Sequence, residues 1–106
     1  MQFKDYLSTF PDIAHLSGLD VADSDGNVIH HIPAIEGKLG SLKLYNALAE
    51  TFDKQLNKQS AQQGVEWFAE HVEDAKLNIG KHPNIDLLLD VIASDKTLVL
   101  KPIRKS

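Results

Sequence analysis

The chain has 106 residues, with 15 acidic against 11 basic side chains and a formal net charge of −4. That length suits one domain, expected to span residues 1–106 around a single core. The acidic excess argues against a nucleic-acid partner, which needs a basic face to displace counterions from phosphate.

No cysteine is present. Disulfides, thiolate metal sites and thiol nucleophiles are excluded together. The start Met1-Gln2-Phe3-Lys4-Asp5 lacks the basic-then-apolar pattern of a secretory leader. The most apolar window, Ile85 to Ile92, is interrupted by Asp86 and Asp90 and is too short to span a bilayer. A cytoplasmic protein with no membrane partner is the expectation.

Phe3, Tyr6, Leu7 and Phe10 recur at helical spacing, and Pro11 closes that first helix. Proline can open a further short helical turn, expected over Asp12 to Leu16 and stopped by Ser17-Gly18. β-branched and apolar runs at 19–22 and 28–32 flank Asp23-Ser24-Asp25-Gly26-Asn27. Glycine and asparagine tolerate positive φ, so the segment reads as a hairpin over 18–32. Its acidic spacing faintly suggests a calcium loop, but the distal glutamate is absent.

Gly37-Lys38-Leu39-Gly40 reads as a loop, without the lysine–threonine tail of a phosphate cradle. A helix is predicted from Ser41 to about Asp53, with Tyr45, Leu48, Ala49 and Phe52 on one face. The polar residues 54–60 read as a connection. Ser60 and Gln63 then suit a capping box. The helix after it carries an inward stripe of Ala61, Val65, Phe68, Val72, Ala75 and Ile79, stopping near Gly80. Pro83 and Asn84 open the next helix, whose apolar residues from Ile85 to Ile92 cover about 200° of its circumference. That breadth predicts the central helix of the core. Residues 97–103 read as a last strand, and Pro102 predicts a sheet edge or an end to pairing there. The expected fold is α+β: a small antiparallel sheet of about three strands, hairpin 18–32 plus strand 97–103, packed against about four helices.

Candidate chemistry concentrates between Gly64 and Asp90. On one continuous helix Trp67, His71 and Asp74 form a strip, because residues three and four apart are neighbours. An aspartate beside an imidazole orients the ring or stabilises its cation, which suits acid–base or metal chemistry. His82 and Asp86 open the following helix, where capping explains much of the string. The candidate ligand-binding residues are Trp67, His71, Asp74, His82 and Asp86. No metal is expected, and the alternative is a metal set of His71, His82 and Asp86, whose spacing matches no standard zinc pattern. His30 and His31 lie on a strand and face opposite ways. There is no dinucleotide fingerprint and no readable Ser–His–Asp arrangement, so cofactor and catalytic residues stay unassigned.

The strings GSLKLYNALAETF, AEHVEDAKLNIGKHPNID and DSDGN together resemble a family of small bacterial proteins described only as a domain of unknown function. The resemblance implies a bacterial source and adds no mechanism, cofactor or site residue. On the residues alone, the leading reading is a small non-enzymatic binding or protein-interaction module. A homodimer through an edge strand or the first helix is its expected form. The alternative is a metal- or anion-binding site with hydrolytic potential on His71, Asp74, His82 and Asp86.

Overall fold

The computed structural model describes residues 1–105. Five helices and four strands follow one another: α1 (Phe3–Leu7), β1 (Leu16–Ala22), β2 (Val28–Pro33), α2 (Leu39–Thr51), β3 (Gln55–Leu56), α3 (Lys58–Phe68), α4 (His71–Leu77), α5 (Pro83–Ser94) and β4 (Leu98–Arg104). The sheet is antiparallel throughout, in the order β2-β1-β4-β3. The fold is α+β, as expected, with one more strand and one more helix.

The hairpin forms where its turn chemistry predicts. Asp23 Oδ1 accepts from the amides of Asp25 and Asn27, and Gly26 takes the positive φ of 88°. Asp12 to Leu16 is not a helical turn: Leu16 is buried and begins β1 opposite Arg104. Ser17 and Gly18 continue that strand. Gly18 is required for close approach, since a Cβ there would lie 2.8 Å from the Ile32 carbonyl oxygen.

The central helix is α2, not α5. Leu42, Leu44, Tyr45, Asn46, Ala47, Leu48 and Ala49 are all buried on α2, whereas α5 buries Asn84, Ile85, Leu88 and Val91. Leu87, Leu89 and Ile92 of α5 are only partly buried, because the apolar breadth exceeds the surface its neighbours cover. The polar stretch 54–60 hides β3, which pairs Leu56 with Leu98 and Gln55 with Val99. Asn57 and Ser60 make the capping box of α3, in place of Ser60 and Gln63: Asn57 Oδ1 accepts from the Ser60 amide and Ser60 Oγ from the Asn57 amide.

β4 lies inside the sheet and not at its edge, and its pairing with β3 ends before Pro102. The Leu100 amide bonds the Lys54 carbonyl on the β3 side. Alternation puts the Pro102 nitrogen on that same side, beyond the two residues of β3, where no ladder bond is lost.

The predicted helix of the inward stripe is two helices. It breaks at Ala69, where φ is 52° and ψ −120°, a backbone region that costs a residue with a Cβ about 1–3 kcal/mol. Phe68, Val72 and Ala75 still reach the core, but Ile79 is 89% exposed. No helix among the described residues is long and apolar enough to cross a membrane.

Candidate functional site

The break at Ala69 positions the site. Phe68 ends α3 and is buried under Phe3 of α1, with ring centroids 5.3 Å apart and planes 17° from parallel. The Phe3 amide donates to Glu70 Oε1 at 2.8 Å, and that bond leads the causes holding the Glu70 carboxyl below its ordinary range. These contacts redirect the chain, and α4 starts at His71 with its ring edge-on to Phe3, centroids 5.1 Å apart. A break therefore occurs where the sequence carries neither glycine nor proline.

One turn along α4, Asp74 gathers three partners. His82 Nε2 lies 2.5 Å from Asp74 Oδ2, Lys81 Nζ 3.2 Å from the same oxygen, and Asn78 Nδ2 donates to Oδ1 at 3.0 Å. The His82 hydrogen bond, then the Lys81 bond, holds the Asp74 carboxyl below its usual range, so it is a carboxylate at neutral pH. The His71 and His82 rings stand 6.2 Å apart between centroids. His82 occupies the N-cap of α5 without a side-chain capping bond, and Pro83 follows at the first helical position.

His71, Lys81 and His82 border a cavity of about 230 Å³. Phe3 and Phe68 line it, with His71, Lys81, His82 and the α5 start at Pro83, Asn84 and Ile85. Lys38 and Ser41, at the start of α2, line the other side. No aspartate or glutamate among the described residues lines it, since Asp74 sits behind His82 and Lys81. Two helix N-termini thus approach one cavity beside two lysines.

Buried Asn84 ties the cavity to the core. Its backbone carbonyl accepts from the Tyr45 hydroxyl at 2.5 Å, and its Oδ1 lies 2.6 Å from His30 Nε2. Complete burial raises the Tyr45 hydroxyl pKa, keeping it a donor. His31 faces the opposite side of the sheet, with Nδ1 2.6 Å from Asp20 Oδ1 on the neighbouring strand.

A model of the family described as "Uncharacterized protein conserved in bacteria (DUF2322)" matches residues 3–102. The chain belongs to that family. No curated protein and no solved structure matches it.

In this DUF2322 chain the structure brings together His71, Asp74 and His82 from the sequence-derived set. Trp67 is apart: its ring packs on Phe10, centroids 4.7 Å apart, outside the cavity. Asp86 is committed elsewhere, accepting from the Gly80 amide at 3.0 Å and closing the turn before α5. The metal set of His71, His82 and Asp86 does not assemble. Among the described residues no three His, Asp or Glu side chains converge where a metal ion would bind. Sequence reasoning missed Phe3, Lys38, Ser41 and Lys81 as neighbours of the histidines. Lys38 belongs to a glycine-bearing segment that matches no phosphate motif, and nothing local joins residues so distant along the chain.

Proposed function

We propose that this DUF2322 protein is a non-enzymatic binding module whose cavity between α2, α4 and α5 takes a small anion, such as a phosphate or carboxylate group. One observation carries the reading. A chain of net charge −4 lines this cavity with Lys38, Lys81, His71, His82 and Ser41 and with no carboxylate. Lys38 supplies a cationic donor, Lys81 a second whose charge is shared with Asp74, and the N-termini of α2 and α5 add positive potential from their aligned peptide dipoles. Asp74, which does not line the cavity, holds His82 and Lys81 at its rim.

Self-association through β2 is less well supported. A bulge interrupts its register between Val21 and Ala22, and Pro33 lacks an amide to offer. Both features blunt an edge strand.

Inorganic phosphate is the test ligand, titrated at low ionic strength against the thermal midpoint. A ligand at about a hundred times its Kd stabilises the native state by about 2.7 kcal/mol. The expected result is a saturable rise in midpoint that the double variant Lys38→Ala/Lys81→Ala loses while remaining folded. An equal rise in that variant, or no response to phosphate or acetate, overturns the reading.

A further inference from the structure

A second, larger concavity lies on the other side of α1. It measures about 520 Å³ and runs between the α1–β1 connection and the first turns of α2. Leu7, Ile13, Leu16 and Leu39 supply its apolar walls, and Lys43 and Lys105 are the cationic residues that line it. α1 separates it from the anion cavity. Gly40, in the first turn of α2, sits so close to α1 that a Cβ would lie 3.2 Å from Phe3 Cε2 and 3.7 Å from Leu7 Cδ1. Phe3 lines one concavity and Leu7 the other.

We propose that this groove binds a single-chain carboxylate amphiphile, an acyl chain carrying one anionic head. Two properties select that occupant. The volume lies within the roughly 300–1,000 Å³ of small-molecule sites, so it can take a chain and not only an ion. Its lining charge is also net positive: Asp12 is the single acidic lining residue against two lysines. Lys43 is partly buried on α2 and forms no ion pair among the described residues. An alkyl chain against the leucine and isoleucine walls removes apolar surface from water. A carboxylate beside Lys43 and Lys105 keeps its head at the wet margin, as the lysine stems themselves do. Leu39 is 46% exposed at this wall, leaving apolar surface that an acyl chain would cover.

Decanoate below its critical micelle concentration is the probe, with calorimetry and amide chemical shifts as readouts. The groove should bind one decanoate per chain and shift the amides of Ala14, Leu39 and Lys43. Decyltrimethylammonium, with the same chain and the opposite charge, should bind at least ten-fold more weakly. Lys43→Glu, at a partly exposed position, should weaken decanoate at least ten-fold. Leu39→Asp should do the same through the wall. Both variants should keep the response to inorganic phosphate, so a failure here is distinct from a failure of the anion cavity. Equal binding of the two amphiphiles, an unchanged affinity in Lys43→Glu, or shifts confined to Lys38, Ser41 and Asn84 would each overturn the proposal. So would a sedimenting dimer that Leu39→Asp dissociates and decanoate leaves intact, because the occupant would then be a second copy.

Discussion

The middle of α3 and its C-terminal end show what different physical demands do to one helix. Where α3 crosses α5, Gly64 faces Leu88 and Leu48, all buried, and a Cβ on Gly64 would lie 2.7 Å from Leu88 Cδ1 and 3.0 Å from Leu48 Cδ1. At its C-terminal end the helix breaks at Ala69 in a strained conformation, and charged and aromatic groups gather around a cavity. The crossing is dry and set by shape. The corner is half-wet and set by hydrogen bonds, with Leu77 and Ile79 left exposed where α4 ends. A helix continued straight through Ala69 would lose the redirection that places His71 against Phe3 and Asp74 beside His82. The strain is the cost of assembling that corner.

The crossing should give the largest effects. Leu88→Ala empties a fully buried site and should cost about 2–5 kcal/mol by denaturant unfolding. Gly64→Ala should cost about 1–2 kcal/mol in the parent, where overpacking outweighs the gain in helix propensity. In the Leu88→Ala background the added methyl should fill part of the vacated space and recover stability. Simple additivity of the two changes would show that the close approach of Gly64 is not what holds α3 against α5.

At the corner the sign should reverse. Ala69→Gly relieves the positive φ of 52° and should stabilise the protein by about 1 kcal/mol. A loss of stability would mean that the methyl group matters more than the backbone strain.

The smallest effect concerns pH. The folded Asp74 pKa is depressed, first by His82 and then by Lys81. Its stabilising contribution is therefore present above the unfolded value near 3.8 and is lost as pH falls through the lower folded value. Asp74→Asn should be less stable than the parent at neutral pH, and the gap should close as pH drops below that range. A gap of constant size would assign the loss to altered hydrogen bonding and not to the carboxylate charge.

The legibility of the chain follows the same division. Helix α2, the 18–32 hairpin and the Pro83 start of α5 were readable because each depends on neighbours within one or two turns. The α3–α4 break was not, since the residues around it keep a helical apolar period and the cause lies at Phe3, far along the chain. β3 was hidden because two residues in a polar stretch carry no periodicity, and only Leu98 and Val99 define them as a strand. Helical spacing groups His71 with Asp74, and His82 is a candidate from its place at the start of the next helix. Trp67 and Asp86 had the same standing on paper and were separated from them by Phe10 and the Gly80 amide.

By itself the sequence determined the class of fold, the absence of thiol chemistry and the segments able to form helices or a hairpin. These depend on composition and on interactions along a few consecutive residues. The tertiary structure alone decided that α2 and not α5 is central, that Ala69 is a corner, and that Lys38 and Ser41 stand across a cavity from His71 and His82. Those outcomes depend on contacts between segments distant in sequence, where burial and hydrogen bonding outweigh local preference.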